Sequence, residues 1–190
     1  MQIEVVAKRH SNSVALRQRD FMSSNNKAKQ SSNITLAGVK IRHANEEDLQ
    51  QIVKLSEKLG RDESAMDYMV SPLPSEFQNP AWILKNIKGE NTAVFVAEVE
   101  GKIVGYSLGW VSQPWSYKAK RGYICDCFVE KSYRRRGIGT ALIKAMLEWF
   151  KNKSVECVEA DVYSSNTPSL ILFKNLGFEE VSKRLRLKFR

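Results

Sequence analysis

The run Arg134-Arg135-Arg136-Gly137-Ile138-Gly139-Thr140 has the residue types of a phosphate cradle. It follows the apolar segment Tyr123 to Val129 and opens a helical pattern carried by Ala141, Leu142, Ala145, Met146 and Trp149. The first N–H groups of a helix have no intrahelical partners, and the helix dipole places partial positive charge there. Gly137 and Gly139 let the main chain approach a ligand with no Cβ in the way. The three arginines add charge that pairs with phosphate oxygens. Just upstream, Asp126 interrupts the apolar strand, where desolvation would raise its pKa toward the range of a general base. The alternative reading of Asp126 is a structural carboxylate satisfied by hydrogen bonds. A third group runs from Asn166-Thr167-Pro168-Ser169 through Phe173 to Gly177-Phe178. Asn166 there fits an N-cap, with Pro168 at an early helical position.

These residues need elements to hold them. Val39 to Arg42 alternates as a strand, and Asn45 offers an N-cap before Glu46, Glu47 and Asp48. Leu49, Ile52, Val53, Leu55 and Leu59 have helical spacing, which Gly60 is expected to end. Residues 61–79 are mixed, and a short second helix opens after Pro80. Thr92 to Val99 and Lys102 to Val111 read as a hairpin turning at Glu100-Gly101. After a polar, aromatic loop come a strand to Val129, a helix over 137–151, a strand over 155–163 and a helix over 168–176. The end, Phe178 to Arg190, reads as two strands, because Leu185, Leu187 and Phe189 alternate with Arg184, Arg186 and Lys188. The order β-α-α-β-β-β-α-β-α-β-β predicts an α/β (α+β) fold, a mixed sheet flanked by helices.

Taken together, the two glycine signatures resemble the GNAT superfamily of acyl-CoA-dependent N-acyltransferases. The first, Arg/Gln-x-x-Gly-x-Gly/Ala after a strand, is met by Arg134, Gly137 and Gly139. The second, Asn-x-x-Ala-x-x-x-Tyr-x-x-x-Gly-Phe, is met by Asn166, Gly177 and Phe178, with Ser169 for the alanine and Phe173 for the tyrosine. The resemblance covers roughly Val39 to Arg190. It implies a central, mostly antiparallel mixed sheet and transfer of an acetyl group from acetyl-CoA to a primary amine in a ternary complex. It also implies that Arg134, Arg135, Arg136, Gly137, Ile138, Gly139 and Thr140 bind the coenzyme pyrophosphate through backbone amides. Phe128 and Val129 would then lie beside the pantetheine arm, the Val129 N–H polarising the thioester carbonyl. Asn166 would approach the far end of the coenzyme arm, and Phe173 would occupy the slot near the coenzyme sulfur.

Acylation needs a neutral amine, so a carboxylate should take the ammonium proton; Asp126 is the candidate, with Glu130, Glu159 and Asp161 as fallbacks. Family members with a tyrosine at the Phe173 slot can give the leaving thiolate a proton, which phenylalanine cannot. Tyr163 is the substitute donor, its plainer reading being a core tyrosine. That departure motivates an alternative, a non-catalytic acyl-CoA-binding or regulatory module. The acids and aromatics Asp62, Glu63, Tyr68, Trp82, Trp110, Trp115 and Tyr117 could receive the acceptor amine.

Composition bounds the rest. The chain has 190 residues, enough for one packed domain, here 38–190, after a polar, basic extension over 1–37. No apolar run approaches the ~20 residues of a membrane span, and Lys8, Arg9 and His10 cut short the first apolar run. The expectation is a cytoplasmic protein. Net charge is +9, but the basic residues are dispersed and aromatic RNA-binding signatures are absent, which disfavours nucleic acid as partner. A homodimer is compatible with the sequence. The three cysteines, Cys125, Cys127 and Cys157, lack metal-site spacing and read as reduced core thiols, with no metal expected.

Overall fold

The computed structural model describes residues 34–36, 38–71 and 78–189, all within the unit Ser31–Arg190. The extension expected over 1–37 lies outside the described residues except for Ile34–Leu36, which forms strand β1.

Strand β2, Val39–His43, buries Val39 and Ile41 on one face, as the alternation predicts. The chain then turns on Asn45. Its side chain accepts the N–H groups of Glu47 and Asp48, and the Asp48 carboxylate accepts the Asn45 N–H at 2.8 Å. This capping box satisfies donors that a helix start leaves orphaned. One 3-10 turn, Glu46–Asp48, leads into helix α1, Leu49–Met66. The helix does not stop at Gly60. Glycine costs only ~1 kcal/mol inside a helix relative to alanine, and Lys58 and Asp62, either side of it, are tied to Glu130 and Arg134. Tertiary contacts override the break. Helix α2, Pro80–Lys88, begins with Asn79 accepting the Ala81 N–H.

Strands β3, Thr92–Val99, and β4, Lys102–Ser112, form the expected hairpin, with Glu100 and Gly101 both at positive φ. That is the backbone a two-residue turn needs to match strand twist. Strand β5 is Arg121–Val129, helix α3 is Ile138–Lys151, strand β6 is Cys157–Ala160 and helix α4 is Thr167–Asn175. The six strands lie in chain order. All neighbours are antiparallel except β5 and β6, which run parallel.

Helix α3 carries the larger part of one core face. Ile138, Ala141, Leu142, Ile143, Ala145, Met146 and Phe150 pack with Val39, Ile41, Phe95, Val104 and Ile124. Burying each large side chain of this set is worth ~1.5–3 kcal/mol. The alternate sheet residues Val94, Val96, Tyr106 and Leu108 lie outside that cluster and are also buried, so both faces of the central strands are covered.

Two further expectations fail. Cys157 is exposed rather than a core thiol. The C-terminal segment carries no strand pairing over 179–189. Its apolar side chains stand in solvent, Leu185 at 89% and Phe189 at 84% exposure. Alternation specifies the two faces of a strand but supplies no edge for it to pair with, and no edge is taken here.

Candidate active site

The site forms where β5 and β6 part. Their parallel register runs from Arg121–Cys157 to Ile124–Ala160 and stops. The stretch Cys125–Val129 therefore keeps its bonds to β4 on one side and opens on the other. Main-chain N–H groups of successive strand residues point to alternate sides. The Glu130 N–H donates to Val104 on β4 at 2.9 Å, so the Val129 N–H faces the opening. The Val129 carbonyl points the same way and accepts Arg134 Nε at 2.7 Å.

Beyond Val129 a single 3-10 turn, Lys131–Tyr133, brings the chain to the basic glycine turn. Arg135 has φ 64° and Gly137 has φ 79°, left-handed values that glycine adopts at little cost. Gly137 occupies the N-cap of α3 and provides no side-chain cap. The first intrahelical bond there is Ala141 N–H to Gly137 O, so the amides of Ile138, Gly139 and Thr140 stay open, as at any helix start. An anionic group fits this cradle. A Cβ on Gly139 would meet Leu172 Cδ1 at 3.0 Å and Val129 Cγ2 at 3.9 Å. The two glycine signatures and the end of β5 thus converge on one point.

Arginines of the turn have unequal parts. Arg134 is committed: it bonds Val129 O, pairs with Asp62 at 2.9 Å and lies over the Phe128 ring. Arg135 and Arg136 are exposed, Arg136 resting against the Tyr133 ring. Asn166 is the N-cap of α4, accepting the Ser169 N–H at 3.3 Å. Phe173 packs edge-on against Phe178 and joins the α3 core.

Asp126 lies within electrostatic reach of Glu63, an acid expected from the sequence only on the acceptor side. Burial pushes Asp126 up from the ordinary carboxylate range, while hydrogen bonds from Cys125 and Tyr106 pull the other way. The Tyr106 hydroxyl, fully buried in β4, donates to Asp126 Oδ2 at 2.8 Å. Glu63, from the last turns of α1, is raised to about 7, by burial first and then by the charge of Asp126. Two carboxylates near each other in a desolvated place do not both ionise easily. Tyr163 is half-buried, raised by burial and then by Glu63 and Asp67.

The fallback acids are engaged elsewhere. Glu130 pairs with Lys58 at 2.5 Å, Glu159 pairs with Arg121 and Tyr117, and Asp161 accepts the Tyr123 hydroxyl at 2.7 Å. Among the acceptor aromatics, Trp110 packs against Trp82 and Tyr123, and Tyr117 stacks on Arg121. Trp115 stands 84% exposed, and Tyr68 is exposed as well.

A family model described as Acetyltransferase (GNAT) family matches residues 58–178. The chain belongs to that family. This acetyltransferase is 32% identical to an N-alpha-acetyltransferase of Sulfurisphaera tokodaii over 75% of its own length and 81% of the relative's. It is 27% identical to an N-alpha-acetyltransferase of Saccharolobus solfataricus, over 74% and 80%. Its fold matches the crystal structure of a mutant Bacillus halodurans protein at TM-score 0.72 and 24% identity, covering 79% of this chain and 99% of that one. The enzyme is an acyl-CoA-dependent N-acetyltransferase, moving an acetyl group from acetyl-CoA to an amine. The open amides of α3, the exposed arginines and the strand opening at Val129 fit such a co-substrate: an anion cradle beside a slot lined by main-chain donors. Among the described residues, no helix is long and apolar enough to cross a membrane.

Proposed function

We propose that this acetyltransferase acts on α-amino groups at polypeptide N-termini, with Asp126 and Glu63 as a shared proton acceptor. The observation that carries the reading is the carboxyl pair, with Glu63 raised to about 7 beside Asp126. An α-ammonium group has an ordinary pKa of about 7.7–8.0, against about 10.4 for lysine. A carboxyl near 7 is matched to the first and several units short of the second. The two relatives named N-alpha-acetyltransferase, each matched over four-fifths of its length, support the same acceptor. Nothing in the comparisons favours a non-catalytic module.

In this reading the amides of Ile138, Gly139 and Thr140, with Arg135 and Arg136, hold the coenzyme's phosphates. Bound acetyl-CoA supplies an activated acyl group through its thioester. The Val129 N–H faces the carbonyl oxygen and stabilises charge as it develops there. Arg134 keeps that N–H aimed by bonding the carbonyl of the same residue. Asp126, fixed by Tyr106, keeps Glu63 basic enough to take the ammonium proton. Tyr163 stands on the same side to return a proton to the leaving thiolate. Asn166 caps α4 and sets where that helix meets the coenzyme, and Phe173 contributes packing alone.

The test is thiol release from acetyl-CoA with two peptide sets, one with a free N-terminus and no lysine, the other Nα-blocked with lysines. Turnover on the first set, with loss in Asp126→Asn, is expected. Turnover on the blocked, lysine-bearing set alone would refute the acceptor assignment.

A further inference from the structure

Helix α1 is anchored unevenly along its length. Its buried side chains, Ile52, Val53, Leu55 and Ser56, all precede Gly60. The turns that follow carry Asp62 and Glu63 and have no buried side chain, yet the helix continues to Met66. An apolar face packed on the core is what usually fixes a helix in place. Over these last turns another kind of contact sets where Glu63 lies.

That contact is charge. Lys58 and Asp62 are one turn apart on the same side of α1, and both reach the segment that follows β5. Lys58 Nζ meets Glu130 Oε1 at 2.5 Å. Asp62 Oδ1 lies 3.6 Å from Lys131 Nζ, and Asp62 Oδ2 accepts an Arg134 terminal nitrogen at 2.9 Å. The polarity reverses from one pair to the next, so a slip of α1 by one turn would set Asp62 against Glu130. Arg134 has a second duty: its Nε donates to Val129 O at 2.7 Å, and its guanidinium lies over the Phe128 ring. The rigid fork of an arginine suits holding two partners at once. One planar group therefore ties α1 to the last residue of β5, whose N–H faces the opening of the slot.

The sequence groups Asp62 with acids that could receive the acceptor amine, but both of its oxygens already have cations in the fold. We propose that Asp62 is a positioning residue, which acts through Arg134 to fix the Val129 main chain and the neighbouring Glu63 relative to each other. It touches neither the amine nor the coenzyme. The Arg134 and Asp62 side chains are 41% and 26% exposed, and pairs this open add little to stability. Geometry is another matter, because a small misplacement of reacting groups costs rate steeply. The role rests on Glu63 being the proton acceptor.

Asp62→Asn keeps the shape and removes the charge. With acetyl-CoA and the better amine of the two peptide sets, kcat should fall about tenfold while the amine KM stays within about twofold. Calorimetry should show acetyl-CoA bound as tightly as before or more tightly, since an anion has left the neighbourhood of the phosphate cradle. The rise in rate due to Glu63 should move to lower pH, because a Glu63 that drifts away from Asp126 into water returns toward the ordinary glutamate range. Added to Arg134→Gln, the substitution should cost less than about twofold more, the mark of two residues acting as one unit. A raised amine KM with unchanged kcat would make Asp62 part of the amine-binding surface and overturn the proposal. Full, independent losses in the double variant would overturn it too. An Asp62→Asn chain that no longer folds would make the pair structural, with the same consequence. Failure of the Glu63 assignment reads differently: the pH-dependent rise would survive Glu63→Gln while Asp62 and Arg134 are both in place.

Discussion

Helices α3 and α4 both open on signature residues, yet they are held in place differently. Helix α3 sinks Ile138, Leu142, Ile143, Met146 and Phe150 into the sheet, and the glycine turn sits on its first residue. Helix α4 has no fully buried residue and exposes Leu170 and Ile171. Its ties are the Asn166 cap, the Phe178 N–H bonded back to Phe173 O at 3.1 Å, and the partial burial of Leu172, Phe173 and Leu176 against the α3 core. The phosphate end of the site is therefore anchored by the core, and the Asn166 end by caps and one seam. Elements with few buried contacts open locally before the core does. The two signatures share a ligand but not a stability.

The most severe way to break this contrast is Phe150→Ala. It removes a fully buried ring from α3 and should cost about 3–5 kcal/mol in chemical denaturation. Gly137→Val comes next. A β-branched residue resists φ 79° and crowds the cradle. Acetyl-CoA affinity, read by calorimetry, should fall about 100-fold, or ~2.7 kcal/mol. Retained tight binding in a folded variant would move the cradle elsewhere.

Glu63→Gln tests the opposite side of the site. Because Asp126 remains, the loss in kcat/KM should be about tenfold, or ~1.4 kcal/mol, and the rise in rate through about pH 7 should disappear. The stability effect has the reverse sign. A carboxyl whose folded pKa is raised costs stability as pH climbs from the ordinary glutamate range through its folded value. Glu63→Gln should therefore raise Tm at pH 8 and leave it nearly unchanged near pH 4. The smallest effect is expected from Leu172→Ala on α4, about 1 kcal/mol, near the centre of ordinary substitutions. A loss equal to that of Phe150→Ala would erase the distinction between the helices.

The parts legible in the sequence are those whose cause is local. Gly137 at a helix start, Asn45 and Asn166 as caps, and an aspartate inside an apolar strand all announce themselves within a few residues. Partnerships across the fold do not. Glu63 comes within electrostatic reach of Asp126 because α1 runs past Gly60, an extension accompanied by ion pairs to residues more than sixty positions away. Tyr106 looks like any hairpin tyrosine until β4 and β5 pair in register and place its ring beneath Asp126. The last segment misleads for the same reason. Its alternation is real, but a strand is a relation between two chains of backbone, and the second lies outside the local sequence.

One contact also limits how this sequence can drift. A Cβ on Gly122 would sit 2.6 Å from the Phe150 ring, closer than atoms tolerate. A side chain at position 122 therefore requires the Phe150 ring to move or shrink, and a smaller side chain at position 150 leaves the space over Gly122 unfilled. The two sites form one heritable unit. Descendants of this chain can exchange the pair for another of equal volume, but through intermediates that are either overfilled or hollow.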